Sequence, residues 1–196
     1  MDAKPSPSRR EITHDRIVET AARAIRRAGY QGVGVADIMK EAGLTHGGFY
    51  AHFASRDALL VEAIERAGQD GSAVIAQRMV ERQAKGASEF RALVESYLSD
   101  VHLASTEHGC PVAALCSEMP RQAPEVREAS AKRVQGMVKL VKKALPASTS
   151  ADMAPVIAST MVGALQLARA LGDNAQGKAL LKANRQSLLS QYDQTG

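Results

Sequence analysis

Two short stretches of the chain hold the residue types that could do chemistry. The first, THGGFYAHF at positions 45–53, sets two adjacent glycines, Gly47 and Gly48, ahead of Tyr50 and His52. Hydroxyl and imidazole groups on a short segment with a bare leading edge suit hydrogen bonds to phosphate oxygens. The second, EHGCPVAALC at positions 107–116, holds both cysteines of the chain. Thiols suit reaction with electrophiles or oxidants, and they also bind metals.

The cysteine stretch does not predict a metal or disulfide site. The spacing of Cys110 and Cys116 from His102 and His108 fits no standard zinc site. Along one helix the two cysteines would be about 9 Å apart, too far for a disulfide. If Pro111 is the first helical residue, Cys110 is the N-cap, where the helix dipole favours the thiolate. A buried structural role and a thiol sensor both stay open for Cys110.

Composition is ordinary for a soluble globular protein and excludes several other classes. The 196 residues are 45% hydrophobic and 23% charged, and no apolar run approaches the roughly 18 to 20 residues of a membrane span. The polar first residues are no secretory signal, so we expect a disordered arm over 1–10 and a cytoplasmic location. Residues 1–56 hold nine Lys and Arg against six Asp and Glu, and the remainder sixteen against fifteen. This distribution favours a polyanion contact near the N-terminus.

Helical periodicity runs through nearly the whole chain and predicts an all-α protein of about nine helices. Gly29, Gly43 and the capping residue Ser55 mark the ends of the early helices. We find no nucleophile–base pair, phosphate-binding glycine loop or metal cluster, so we expect no enzyme and no cofactor. The predicted helices cover residues 17–28, 35–42, 46–52, 55–82, 88–104, 111–119, 124–145, 151–171 and 173–191.

The second and third predicted helices have the spacing of a helix-turn-helix. In that motif the second helix enters the major groove of DNA. The same pattern is also typical of an ordinary αα-corner, so spacing alone leaves both interpretations open. A role in DNA binding would explain the two glycines near the start of the third predicted helix, because a backbone without side chains can approach the groove closely.

Residues 16–60 resemble the N-terminal DNA-binding domain of the TetR family of bacterial regulators. The resemblance implies a helix-turn-helix head over 11–54 and a divergent helical body over 55–196 that binds an effector and dimerises through its last two helices. The matching residues are Ile17, Ala21, Ala22, Gly29, Tyr30, Asp37, Ile38, Ala42, Gly43, Tyr50, His52, Phe53, Leu59 and Leu60. Where the family usually has Thr or Ser at the start of the second helix, this chain has Gly34, whose backbone amide can still cap.

The head residues predicted to contact DNA are Gly34, Thr45, His46, Gly47, Gly48, Tyr50, His52 and Arg56. Thr45 would cap the third helix. Together with His46 it would also read bases, while Tyr50, His52 and Arg56 would meet phosphates. The predicted dimer stripe, spaced for one helix face, is Thr160, Gly163, Ala164, Leu167, Ala168 and Leu171. The predicted effector-pocket residues are Tyr97, His102, Cys110, Cys116, Met119, Met137 and Gln166.

Together these features predict a homodimeric repressor released from operator DNA by a small apolar or electrophilic effector. We expect the partners to be double-stranded DNA, a second copy of the chain and that effector, with no membrane. The alternatives are an activator, a regulator that senses thiol modification at Cys110, and a helical interaction protein without DNA binding.

Overall fold

A computed structural model describes residues 6–193, and within that range every regular element is helical. The α-helices are α1 Arg9–Ala28, α2 Val35–Glu41, α3 Arg56–Gln83, α4 Glu89–Tyr97, α5 Asp100–Ala104, α6 Pro111–Leu115, α7 Pro124–Ala144, α8 Met153–Leu171 and α9 Ala175–Tyr192. Two 3-10 helices, His46–Ala51 and Met119–Arg121, complete the described elements. The all-α prediction is therefore confirmed.

The first helix begins earlier than predicted. Ser8 and Glu11 form a capping box, in which the Glu11 amide donates to Ser8 Oγ at 3.2 Å and the Ser8 amide donates to Glu11 Oε2 at 2.7 Å. Because this reciprocal pair satisfies two amides that would otherwise lack partners, α1 begins at Arg9. The disordered arm predicted over 1–10 is thus wrong at positions 9 and 10, and its residues 1–5 lie outside the described range.

The single helix predicted over 88–104 is divided into α4 and α5. The break lies at Leu98 and Ser99, where the Ser99 hydroxyl accepts a hydrogen bond from the His102 amide at 3.2 Å. A serine that bonds a nearby amide competes with the helical pattern and starts a new helix. The predicted third helix also differs, because it is a short 3-10 helix, in keeping with the high cost of two adjacent glycines in an α-helix.

The described residues form two hydrophobic cores, and α3 contributes to both. One is built from α1, α2, the first 3-10 helix and the first two turns of α3, and the other from the later part of α3 with α4, α7, α8 and α9. The first core also takes in Leu115, Met119, Val126 and Ala129 from the body. The boundary predicted between positions 54 and 55 therefore stays a prediction, because apolar packing continues across it.

Helix α8 corrects the expectation that no segment is as apolar and long as a membrane span. Its 19 residues, Met153–Leu171, contain an 18-residue window of mean hydropathy 1.3. Ala154, Ile157, Met161, Leu165 and Ala168 of this helix are fully buried in the protein's own core. Length and composition alone do not separate such a core helix from a membrane span.

Candidate nucleic-acid interface and ligand cleft

The first 3-10 helix, His46–Ala51, is held by one face and presents the other to solvent. Phe49 and Phe53 are 1% and 3% exposed and their rings stack at 5.5 Å between centroids. Tyr50 is 72% exposed, and Thr45 and His46 are exposed beside it. The aromatic residues of this stretch therefore divide into two buried anchors and one outward hydroxyl.

Neither glycine at the front of this helix is required by the protein's own structure. The positive-φ glycines of the described chain are Gly29, Gly43, Gly86 and Gly172, so Gly47 and Gly48 adopt backbone angles open to any residue. A Cβ at Gly47 would meet no atom within 4 Å, and one at Gly48 would make only ordinary contacts, the nearest at 3.7 Å. Since glycine lowers helix stability by about 1 kcal/mol relative to alanine, its presence here points to a requirement outside the chain.

The N-cap residues of α2 and of the first 3-10 helix, Gly34 and Thr45, make no side-chain capping hydrogen bond. Thr45 is the N-cap of the 3-10 helix but its hydroxyl makes no capping hydrogen bond, contrary to the expectation that it would satisfy a backbone amide. Gly34 is the exposed N-cap of α2 and can offer only backbone amides to an anion. Thr45, Gly34 and the exposed His46 thus all lie at starts of the two helices that would face DNA.

Arg56 does not have the role predicted for it. Its guanidinium donates hydrogen bonds to the backbone carbonyl oxygens of Tyr30 and Val33, the latter at 3.4 Å, and the side chain is half-buried. The cation therefore fastens the start of α3 to the loop after α1 instead of projecting towards phosphate. Sequence position alone could not reveal these partners, because they lie 26 and 23 residues away.

His52 is half-buried beside a second histidine that sequence analysis did not select. The rings of His52 and His14 lie 5.9 Å apart, and His14 Nε2 is 2.7 Å from a carboxylate oxygen of Glu62 on α3. Burial lowers the pKa of His52, and interaction with the neighbouring His14 and Arg10 lowers it further. His52 is consequently a neutral imidazole at pH 7, able to donate one hydrogen bond but not to supply a charge.

Hydrogen bonds and ion pairs tie the head to α7 and to the segments on either side of α6. The Tyr30 hydroxyl, at the end of α1, lies 3.0 Å from Ser130 Oγ, and the Tyr30 amide donates to Glu118 at 3.0 Å. Arg27 adds a bridge between Glu41 of the head and Glu107 of the body, at 2.8 and 3.2 Å. These contacts, together with the shared apolar core, make the orientation of the head depend on α6 and α7.

A cleft of about 470 Å³ opens in the body between α3, α6 and α7. Its volume falls within the range of small-molecule pockets. Its walls are mainly apolar and glycine-rich, and Tyr97 of α4 closes part of it. The lining residues are Gly68, Gly71, Ser72, Ile75, Ala76, Met79, Tyr97, Cys110, Pro111, Val112, Arg133, Gly136, Met137, Lys139, Leu140 and Lys143.

Of the predicted pocket residues, only Tyr97, Cys110 and Met137 line this cleft. Met119 is instead buried in the core of the head, which corrects its assignment. Cys116 lies at the C-terminal end of α6, five residues beyond the lining Pro111, and Gln166 is half-buried on α8, which contributes no residue to the cleft. The cleft was misjudged because helix periodicity does not say which helices are neighbours.

His102 lies behind the cleft and supports two of its lining residues. Its Nδ1 donates to the Tyr97 carbonyl at 2.7 Å, and its Nε2 accepts from the Cys110 amide at 3.0 Å. Burial lowers the pKa of His102 to about 4, and the nearby charges of Arg169 and Arg78 also lower it. The imidazole is therefore neutral and structural, which corrects its prediction as a pocket residue.

We expect protonation of His102 to destabilise the fold in mild acid. Its pKa is about 4 in the folded protein against 6.5 for the unperturbed group, so the unfolded chain takes up the proton first as pH falls. Stability present at pH 7 is then lost between these two values, with about 2 kcal/mol gone at pH 5. Urea unfolding of the protein and of His102→Gln at both pH values measures this, and the variant is expected to lose that part of the pH dependence. The exposed His108 provides the control: His108→Gln should retain it, and equal slopes in all three proteins would contradict the assignment.

Some residues of the predicted dimer stripe on α8 are buried in the chain's own core, and the others are accessible at its surface. Ala164 and Ala168 are 4% and 0% exposed within the chain's own core, so these two assignments are corrected. The internal core covers the alanine side of this stripe. The outward part of the stripe, together with the exposed Val156, forms what we call the α8 face, which consists of Val156, Thr160, Gly163, Leu167 and Leu171.

Comparison with known proteins agrees with this architecture. The family profile described as "Bacterial regulatory proteins, tetR family" matches residues 17–63, which cover most of the head and the start of α3. A second profile, "Transcriptional regulator LmrA/YxaF-like, C-terminal domain", matches residues 86–186, more than half of the chain.

Several relatives are similar along most of their length. An HTH-type transcriptional regulator of Mycobacterium tuberculosis is 29% identical over 171 residues, which are 81% of this chain and 85% of the relative. The HTH-type transcriptional repressor NemR of Escherichia coli is 26% identical over 137 residues, 68% of this chain and 67% of the repressor.

Solved structures share the fold. The crystal structure of the reduced form of Escherichia coli NemR matches with a TM-score of 0.73 at 22% identity, over 91% of this chain and 96% of that one. The regulatory protein TetR from Rhodobacter sphaeroides matches with a TM-score of 0.75 at 18% identity, over 92% and 99% of the two chains. Because one family profile covers the head and another covers more than half of the chain in the body, this protein belongs to the TetR family of bacterial DNA-binding transcription regulators.

Proposed function

We propose that the protein is a cytoplasmic, homodimeric repressor that leaves its operator when a small molecule occupies the cleft between α3, α6 and α7. The observation that carries the DNA-binding part is the front of the first 3-10 helix. Gly47 and Gly48 adopt ordinary backbone angles with no internal crowding, yet they precede the 72% exposed Tyr50. An unobstructed backbone next to an outward hydroxyl is what close approach to a phosphate requires.

The α8 face supports pairing of two copies. Leu167 is 60% exposed and Leu171 is 43% exposed, and a Cβ at Gly163 would meet no atom within 4 Å. Apolar side chains around an open space at a glycine can interdigitate with the same surface of a second copy. Two heads are also what DNA recognition needs, because a symmetric operator presents successive major grooves roughly 34 to 36 Å apart.

Release of DNA would follow from the position of the cleft. Met137 and Arg133 of α7 and Val112 of α6 line it, while Leu115 and Ala129, on the same two helices, belong to the core of the head. A ligand that favours a different spacing of α6 and α7 therefore changes the packing under the head. By linkage, the ligand shifts the population towards a head arrangement that no longer fits the operator.

A gel-shift titration against the DNA upstream of the protein's own coding sequence tests this function. We expect a sequence-preferring complex that weakens as salt is raised, with two chains per DNA site. Light scattering of the free protein gives the number of chains in solution. A protein that forms no such complex would favour the helical interaction protein, and a monomer in solution would contradict the proposed pairing.

A thiol-responsive regulator is the second candidate, because Cys110 lines the cleft and is a free cysteine. The relative NemR has a structure described as its reduced form. In this alternative, an electrophile would modify the Cys110 sulfur and displace α6, of which Cys110 is the N-cap.

We expect Cys110→Ser to bind DNA with unchanged affinity but to lose any release caused by N-ethylmaleimide. Cys116, the other free cysteine, gives the matched control, and Cys116→Ser should still be released. Gel shifts with and without the reagent measure both. If Cys110→Ser is released as readily as the unsubstituted protein, the thiol mechanism is wrong.

A further inference from the structure

The charged residues that line the cleft between α3, α6 and α7 are all positively charged. The lining includes Arg133, Lys139 and Lys143, and no aspartate or glutamate of the described chain is among the lining residues. All three cations are on α7, where Arg133 and Lys143 are ten residues and hence about 15 Å apart along the helix axis. Gly136, Met137 and Leu140 form the apolar surface between them. A ligand that matches this lining combines an apolar body with negative charge.

Of the three cations, Arg133 is the one with a buried nitrogen that lacks a hydrogen-bond acceptor among the described residues. Its Nε atom is buried and makes no hydrogen bond among the described residues, and no carboxylate of that part of the chain is within ion-pair distance of the guanidinium. The side chain crosses α3 at Gly68, where a Cβ would lie 2.5 Å from Arg133 Cδ. A buried donor without an acceptor is costly, so the site is completed when a bound group supplies an acceptor.

The other two cations are less specific. Lys143 is mostly exposed and its Nζ lies 3.9 Å from a carboxylate oxygen of Glu89. Lys139 lies at the exposed rim. Exposed ammonium groups contribute little to affinity individually, although they attract anions towards the opening. Arg133 is therefore the residue that would fix the head group, with the lysines adding long-range attraction.

Tyr97 adds a second buried donor, whose hydroxyl lies beside the thiol of Cys110, a weak acceptor. The hydroxyl is fully buried and makes no well-formed hydrogen bond within the described residues. Burial raises the pKa of Tyr97 well above its usual value, and the neighbouring Cys110 raises it further, so the group remains a protonated donor. The buried polar atoms of the cleft are thus donors, and a ligand rich in acceptors suits them better than a neutral hydrocarbon or an amine.

We propose that the effector is an amphipathic monoanion, with a carboxylate bound by Arg133 and an apolar body against Ile75, Met137 and Leu140. This inference rests on the proposed function for its effector role, but the ligand class follows from the lining of the cleft. It narrows the effector expected from sequence, which was only apolar or electrophilic. It also places the negative charge beside Gly68, four residues beyond Ile64, the last buried residue of α3 in the core of the head.

The test compares three eight-carbon probes, octanoate, octan-1-ol and octylamine, by isothermal titration calorimetry at fixed salt and pH 7.5. We expect octanoate to bind about tenfold or more tightly than octan-1-ol, because a charge-assisted hydrogen bond is stronger than a neutral one. Arg133→Gln should lose this preference, and Arg133→Lys should retain part of it. Lys132→Gln is the matched control, because Lys132 lies on the same helix but pairs with Glu128 at 3.0 Å outside the cleft.

Equal or tighter binding of octan-1-ol or octylamine would overturn the proposal, as would an undiminished octanoate preference in Arg133→Gln. Absence of octanoate binding at millimolar concentration would also overturn it. Urea unfolding of Arg133→Gln establishes that its fold is retained, and Arg133→Lys provides the readout if it is not. Gel shifts with each probe test the release of DNA separately from the chemical class of the ligand. Octanoate that binds without releasing DNA contradicts the release mechanism, whereas release by octan-1-ol and not by octanoate contradicts only the ligand class.

Discussion

Gly47→Leu is expected to weaken DNA binding by about 100-fold or more while leaving the protein as stable as before. A Cβ at this position meets no atom of the protein within 4 Å, so a leucine fits the free molecule. Leucine also favours helix relative to glycine, which adds up to about 1 kcal/mol to the free energy of unfolding. On DNA, however, the added side chain holds the backbone and Tyr50 away from the groove. Loss of one charge-assisted hydrogen bond of about 1.5 kcal/mol in each of two heads accounts for a factor of this size.

Gel shifts and urea unfolding on the same preparation measure the two halves of this prediction. Ala131→Leu supplies a matched control, because it adds an exposed leucine on α7, in the body. That variant should bind DNA normally. If Gly47→Leu binds DNA as tightly as the unsubstituted protein, the bare front of the 3-10 helix does not approach DNA. If it unfolds instead, the glycine has an internal role that the open space around it does not explain.

If the protein is the proposed dimer, Leu167→Glu is expected to convert it into a monomer. Leu167 is 60% exposed on the α8 face, so a glutamate there is tolerated by the isolated chain. In a symmetric pair each substitution appears twice across the same interface. Removing two uncompensated carboxylates from water costs several kcal/mol, which raises the dimer dissociation constant by roughly 1000-fold.

Light scattering over a range of protein concentrations measures the change, and a gel shift measures its consequence. We expect the monomer to lose sequence-preferring binding, since a single head contacts one groove only. Val80→Glu is the control, because Val80 is 65% exposed on α3 and belongs neither to the α8 face nor to the cleft lining. A Leu167→Glu protein that remains dimeric would assign the interface to another surface, and a monomeric Val80→Glu would implicate α3.

The sequence alone determined the helical architecture and the form of the head, because the signals for these are local. Gly29 ends α1 with a positive φ of 79°, and Ser55 caps α3 by accepting a hydrogen bond from the Ala58 amide at 3.0 Å. Phe49 and Phe53, four residues apart, are buried, while Tyr50 between them is exposed. Each of these features is set by residues within one or two helical turns of each other.

The tertiary structure alone decided the cleft, the link between head and body, and which residues of the predicted dimer stripe are buried. Arg133 meets Gly68 across α3 and α7, and Tyr30 is bonded to Ser130 at a separation of 100 residues. Periodicity identifies the apolar face of a helix but not the helix that will cover it. For that reason it selected Met119 and Ala164 for a ligand and a partner, although each is buried in the chain's own core. The same holds for charge. Arg56 and Arg133 are both arginines on helices, and only the neighbours brought by folding give the Arg56 guanidinium its acceptors and leave Arg133 Nε without one among the described residues.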